Sequence, residues 1–106
     1  MHPGSQWTTH KGDEWWYESR GVRASASFVP ASSAISIGPI TGLNSPDSLH
    51  MLLTDTIHRF PGIEPRIAVT KATRPLLQEL VARDIIRWEP LEHPLSIEAR
   101  ITFVVA

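Results

Sequence analysis

Residues 60–69, FPGIEPRIAV, form the junction between two kinds of secondary structure. An apolar pattern of helical spacing runs into Phe60, and the proline-glycine pair that follows is a combination that ends helices. Pro65 biases Glu64 away from the helical region and towards extended backbone. A strand over residues 66–70 is therefore expected directly after the helix, and the junction indicates a domain that mixes both elements.

The segment before this junction has the marks of a helix at its start and along its length. Ser45 suits the N-cap position, Pro46 the first helical position, and an acidic residue follows in the first turn. Apolar residues recur at helical spacing and give one apolar face. They are Leu49, Leu52, Leu53, Ile57 and Phe60. We predict a helix over residues 46–60.

Alternation of apolar and polar residues predicts the strands. Residues 22–29 alternate cleanly, and residues 95–105 form the longest alternating segment. Shorter strands are expected over residues 14–18 and 34–37, and the pair Glu89-Pro90 is expected to turn the chain. Residues 75–88 have two interpretations: a short helix running into a strand, which we favour, or a loop followed by a strand from about Leu80.

Together these elements predict an α+β fold in two layers, with two helices packed on a small mixed β-sheet. A chain of 106 residues forms one domain, expected over residues 14–106. Residues 1–13 are polar, and we expect a flexible N-terminal arm that becomes ordered on a partner.

The composition excludes several classes of function. The sequence has no cysteine, so disulfides, thiol catalysis and thiolate zinc sites are ruled out. No apolar run approaches the roughly 18 residues of a membrane-spanning helix. The formal net charge is −1 and the arginines are scattered, so a nucleic-acid partner is not expected. We expect an intracellular location or a particle assembled inside a cell.

Signals for catalysis are weak. Asp55 and His58 lie on the polar side of the predicted helix, where a solvated surface is the simpler interpretation. Carboxylates flank the aromatic run 15–17, which could suggest a sugar-cleaving cleft. However, consecutive strand residues face opposite sides, so Trp15 and Trp16 do not line one cleft. We expect no enzyme activity, no cofactor, no metal and no small-molecule substrate.

Six residues are the candidates for contact with other proteins. Glu64 and Arg66 are two apart on extended backbone, so their side chains project to the same side and offer a charged docking point. One of Trp15 and Trp16 is expected in the core and the other on a neighbouring subunit. Ile101 and Phe103 belong to the apolar side of the long terminal strand.

The order of these features resembles a known family. The segment SSAISIGPITGL at 32–43 precedes the predicted helix, Glu64-Pro65-Arg66 follows it, and IIRWEPLEHPLSIEARITF at 85–103 closes the domain. Over about residues 32–103 the chain is similar to the small baseplate-wedge, or sheath-initiator, proteins of contractile phage tails and to their type VI secretion counterpart TssE.

The resemblance implies a structural, non-enzymatic role in the assembly of a tail baseplate, and with it a location in the cytoplasm or in an assembled virion or tail particle. It implies docking on other wedge subunits through the Glu-Pro-Arg region and addition of a strand to sheath subunits by β-augmentation, a role for which we expect the terminal strand at an edge of the sheet. Residues 76–88, LLQELVARDIIRW, also fit a recognition helix that leads into a wing. A winged-helix DNA-binding regulator is therefore the alternative function, and an enzyme ranks third.

Overall fold

The computed structural model describes residues 7–10 and 14–105. It has a mixed α+β fold with seven strands and two α-helices in the described part of the chain. In chain order these are β1 (Trp7–His10), β2 (Glu14–Ser19), β3 (Val22–Val29), β4 (Ala34–Thr41), α1 (Pro46–Arg59), β5 (Glu64–Ala68), α2 (Arg74–Ala82), β6 (Ile86–His93) and β7 (Ser96–Phe103), with a short 3₁₀ helix (Pro30–Ser32) between β3 and β4.

The seven strands form one sheet in the order β1-β2-β3-β4-β5-β7-β6. Neighbouring strands are antiparallel, except that β4 and β5 run parallel. Parallel neighbours need a crossover connection, and α1 supplies it here. The predicted helix 46–60 and its junction with the strand at Glu64 therefore lie at the centre of the topology.

Helix α1 confirms the prediction made from its local signals. Ser45 is the N-cap, and Ser45 and Ser48 form a reciprocal capping box in which each backbone N–H donates to the other's hydroxyl at 3.2 Å. The helix ends at Arg59, and Phe60 is its C-cap. Leu49, Leu52, Leu53 and Phe60 are all buried.

Residues 75–88 form a helix followed by a strand, as favoured above: α2 ends at Ala82 and β6 begins at Ile86. The prediction that Glu89-Pro90 turns the chain is wrong, because both residues lie inside β6 and the chain reverses after His93. The N–H of Val104 donates to the carbonyl of Ile85, and hydrogen-bonded pairs alternate along an antiparallel ladder. Pro90 therefore occupies a non-hydrogen-bonded position, where its missing N–H faces away from β7.

The terminal strand does not lie at an edge, so that prediction is also wrong. β7 is paired with β5 on one side and with β6 on the other. The β6–β7 hairpin is in register from Ile86↔Phe103 to His93↔Ser96, which covers the outer side of β7 over its whole length. Ile101 is consequently buried in the core.

The Glu-Pro-Arg motif also lies inside the sheet, because β5 separates β4 from β7. Proline is tolerated there for a local reason. The ladder between β5 and β7 begins at Arg66↔Arg100, so Pro65 stands just outside it and its missing N–H removes no ladder bond to β7.

The predicted N-terminal arm includes a strand. β1 pairs with β2, and the side chain of Trp7 is buried, with its indole N–H donating to Thr56 Oγ1 at 3.2 Å. A single aromatic residue thus attaches β1 to α1. Residues 1–6 and 11–13, the rest of the predicted arm, lie outside the described residues.

One apolar cluster forms the core. It joins the buried leucines of both helices to alternate residues of the strands. The intervening strand residues are mostly polar and partly or fully exposed. This alternation gives the sheet one apolar side, facing the core, and one polar side.

Candidate functional site

The polar side of the sheet carries the candidate site, and we call it the polar face. Paired residues of neighbouring strands share a face, so the register defines its members. One row runs Glu14↔Ser27↔Ser36↔Arg66↔Arg100↔Glu89 across six strands. Trp16 and Ser25 form the adjacent pair at the β2–β3 end of this face.

Glu64, Arg66 and Arg100 form an ion-pair cluster on the polar face. Arg66 Nε donates to Glu64 Oε2 at 2.8 Å, which confirms the predicted proximity of these two side chains. Arg100 donates to the same carboxylate through Nε at 3.3 Å and through Nη2 at 3.2 Å. One carboxylate therefore serves two guanidinium groups.

The cluster changes the acidity of its members. Partial burial favours the neutral form of Glu64, but the hydrogen bonds from Arg100 and Arg66 outweigh it and lower the pKa of the carboxyl group below its usual value. In return, the hydrogen bond to Glu64 raises the pKa of Arg100. The shifts favour the charged forms of Glu64 and Arg100 at neutral pH.

A second polar network lies beside the cluster. The Ser36 hydroxyl donates to Glu98 Oε2, and Glu98 Oε1 lies 3.0 Å from His93 Nε2. The Glu98 carboxylate is thus engaged through both oxygens. Of the charged residues that build the two networks, Arg66 is the most deeply placed, at 9% exposure.

Small side chains leave a shallow depression on the polar face. The depression has a volume of about 150 Å³ and is lined by Glu14, Ser25, Ala26, Ser27, Ser36 and Gly38. A larger depression of about 540 Å³ lies at the other end of the polar face, where Trp16 and Pro39 contribute to its walls. The face therefore has room for side chains of another molecule.

The two neighbouring tryptophans face opposite sides, as predicted. Trp15 is partly buried and packs edge-on against Phe60, with ring centroids 5.0 Å apart, while the Arg59 guanidinium lies 4.7 Å above the Trp15 ring. Trp16 belongs to the polar face and is 49% exposed. Its indole N–H donates to Glu14 Oε1 at 3.4 Å.

The remaining predicted contact residues meet elsewhere. Ile101, Phe103 and Glu64 line a depression of about 320 Å³ at one end of the sheet, together with Ile57, Gly62, Ile63, Pro65 and Thr102. Ile101 is buried and belongs to the core, whereas Phe103 is partly exposed. The structure thus brings Ile101 and Phe103 to Glu64, and it separates them from Trp16.

Several polar residues of the two helices are engaged with the domain itself. Asp55 Oδ2 accepts a hydrogen bond from the Tyr17 hydroxyl at 2.6 Å. Arg83, the C-cap of α2, pairs with Glu79 at 3.0 Å and with Asp47 at 3.2 Å. In residues 7–10 and 14–105, no three histidine or acidic side chains are grouped as a metal site would need, and neither helix is long and apolar enough to cross a membrane.

Sequence reasoning missed Arg100, Glu98 and Ser36 as members of the site. The alternation in the terminal strand places Glu98 and Arg100 on its polar side, and this is the signal that was available. Their position beside Glu64 and Ser36 depends on the pairing of strands that are distant in sequence.

Comparison of the chain with protein-family profiles, with curated proteins and with solved structures finds no match.

Proposed function

We propose that the chain is a non-enzymatic assembly protein that docks another protein subunit on the polar face of its sheet. In this proposal the domain has two layers, with both helices on the core side of the sheet and the polar face left for the partner. The observation that carries it is the position of the exposed Trp16 on the same face as the Glu64–Arg66–Arg100 cluster.

The combination of residue types supports protein contact. Interface centres are enriched in tryptophan and arginine, and an exposed tryptophan ring offers a large contact area at low cost in conformational entropy. A fixed charged cluster adds orientation, because a misaligned partner would leave these groups unpaired. The serine and glycine positions between them let a partner's side chains approach the sheet.

The assembly we propose is a phage-like or contractile tail baseplate, on the ground of the resemblance through Glu64-Pro65-Arg66. The mode of contact differs from the one expected at first. β7 is internal, so the terminal strand is not offered to a partner. Edge strand β6 carries charged side chains and Pro90, which disfavour strand addition, and we therefore assign docking to the polar face.

The DNA-binding alternative has less support. A recognition helix needs an exposed basic surface that can approach phosphates. On α2 and its C-cap, Arg83 is paired with both Glu79 and Asp47, and these two carboxylates offset its charge. No described feature favours this function over protein docking.

The test is co-expression with the products of neighbouring genes, followed by size-exclusion chromatography of the purified mixture. Trp16→Ser should weaken complex formation at least tenfold and leave the melting temperature nearly unchanged. Val81→Ser is the matched control, since Val81 is a comparably exposed apolar residue, at 43%, on α2. Equal binding by both variants would remove the polar face as the docking surface.

A further inference from the structure

Arg66 combines deep burial with hydrogen-bonding capacity that the domain does not use. A guanidinium group has five N–H donors. Among the described residues, the only acceptor for Arg66 is Glu64, which takes the hydrogen bond from Nε. The two terminal nitrogens, Nη1 and Nη2, make no hydrogen bond to the described protein, although the residue is only 9% exposed. Buried polar groups usually have a hydrogen-bond partner, so we expect an acceptor for this pair of donors outside the described protein.

The nearby carboxylates are already engaged. Glu64 is bound by Arg100 through both of its oxygens as well as by Arg66. Glu98 accepts from Ser36 with one oxygen and contacts His93 with the other. Glu89 lies opposite Arg100, whose charge it favours, rather than opposite Arg66. The charge of Arg66 is therefore offset only by a carboxylate that it shares with Arg100.

Small residues lie beside Arg66 on the polar face. Ser36 is the direct neighbour of Arg66 on β4, and Ser27 follows on β3. Both serines line the 150 Å³ depression, a volume equal to about five water molecules. The end of one short side chain fits this space, whereas a large ligand does not.

We propose that Arg66 binds a carboxylate that the docked protein presents from an aspartate or glutamate side chain, through the paired donors Nη1 and Nη2. Nε is held by Glu64, so the guanidinium plane is fixed in advance, which favours the bidentate geometry of a carboxylate. A single negative charge offsets the excess positive charge of two guanidinium groups that share one acid. This inference rests on the proposed function, because it names the group by which the partner is recognised.

The test titrates the full chain with acetate as the probe. NMR follows the arginine Nε–H and backbone amide signals, and chloride is exchanged for acetate so that the ionic strength stays constant. We expect saturable shifts at Arg66 and Ser36, with a Kd on the order of tens of millimolar for a single small anion. Arg66→Lys should weaken binding severalfold, because it keeps the charge and loses the planar pair, and Arg66→Gln should abolish it.

Arg23→Gln is the matched control, since Arg23 is an exposed arginine of the same face that pairs with Glu18 at 3.2 Å; it should leave acetate binding unchanged. Linear shifts without saturation, or saturable shifts that survive in Arg66→Gln, would overturn the site, and should the Arg66 variants not fold, the wild-type titration decides alone. Phosphate binding at least tenfold tighter than acetate would overturn the carboxylate. If acetate binds at Arg66 but Trp16→Ser does not weaken complex formation, the proposed docking function fails while the anion site at Arg66 stands.

Discussion

At the scale of single residues, the carboxylate of Glu64 is the group on which the polar face depends most. It fixes Arg66, which is nearly buried, and Arg100, which is partly exposed. Removing one partner of a buried charged pair leaves the other without compensation, and this usually costs more than the pair itself contributes. The cluster is therefore sensitive to loss of the acid and to its protonation.

Glu64→Gln should lower the free energy of unfolding at pH 7 by about 1.5 kcal/mol, a value at the low end for charged hydrogen bonds because Arg100 is partly solvated. The folded-state pKa of Glu64 is lowered, so the unfolded chain binds the proton more readily. The contribution of Glu64 to the free energy of unfolding is present above pH 4.5, the ordinary pKa of the group. It is lost as the pH falls through the folded-state pKa.

Urea unfolding of wild type and Glu64→Gln from pH 7 to about pH 3 measures this contribution. The difference in the free energy of unfolding between the two proteins should shrink in the acid range. Glu18→Gln is the control, because the Glu18–Arg23 pair is highly exposed on both sides and should contribute well under 1 kcal/mol. A difference that stays constant over the whole pH range would contradict the ionic role of Glu64.

Tyr17 offers a second residue-scale prediction. Burial, and then the hydrogen bond to Asp55, raise the pKa of the phenol above its ordinary value of 10.0. The folded state thus favours the neutral phenol, and its contribution is present below pH 10 and is lost as the pH rises further. Tyr17→Phe should cost about 1–2 kcal/mol at pH 7 and should remove this alkaline loss.

Spectroscopy can follow this group alone, because the sequence contains one tyrosine. Tyrosinate absorbance should appear in wild type together with alkaline unfolding, rather than before it. Ionisation of Tyr17 near pH 10 in a chain that is still folded would show that the hydroxyl is accessible and would contradict the raised pKa.

At the scale of elements, sequence patterns predict what local interactions decide. Helix α1 was predictable because its cap, first-turn residues and apolar stripe all lie within residues 45–60. The contact of Glu64 with Arg66 was predictable from their spacing of two. The contact of Arg100 with the same carboxylate was not predictable, because it depends on the pairing of strands 36 positions apart and no local pattern in the sequence indicates that pairing.

The edge strand shows the same limit. Glu89-Pro90 was interpreted as a turn, but Pro90 is tolerated in β6 at a position where its nitrogen faces outward. Proline is tolerated in this orientation because β6 is the outermost strand, so no neighbouring strand pairs with its outward side. A residue that normally argues against a strand here protects the edge of the sheet.

Pro90→Val should therefore expose an additional outward N–H and promote association of the chain with itself. The free energy of unfolding should change by less than about 1 kcal/mol, because the ladder to β7 keeps its hydrogen bonds. Light scattering at increasing protein concentration measures the association, with Pro94→Val in the β6–β7 turn as the control. A variant that remains as monomeric as wild type would show that the flanking charges alone protect this edge.

At the scale of the whole molecule, the main departure from expectation concerns which residues belong to the domain. The polar composition of residues 1–13 indicates an arm, and a four-residue strand is too short to show a clear alternation. Trp7 argues against that interpretation for residues 7–10, because its ring packs 5.2 Å from Tyr17 and 5.9 Å from Phe60 and its indole N–H reaches Thr56. β1 is thus joined to the sheet through β2 and to α1 through one side chain.

Trp7→Ala tests whether this strand is part of the core. Loss of a fully buried tryptophan typically costs 3–5 kcal/mol, and for a domain of this size that should lower the melting temperature by roughly 10 °C or more. Thr8→Ala is the control, since Thr8 is the exposed neighbour on the same strand and should change the free energy of unfolding by about 0.5 kcal/mol or less. If both variants melt like wild type, β1 is a detachable arm as its composition indicates, and the core then begins at β2. If Trp7→Ala alone is destabilised, the outer edge beyond β2 is held by the core, and Trp16, which is paired with Thr8 across that edge, is presented to a partner from a fixed strand.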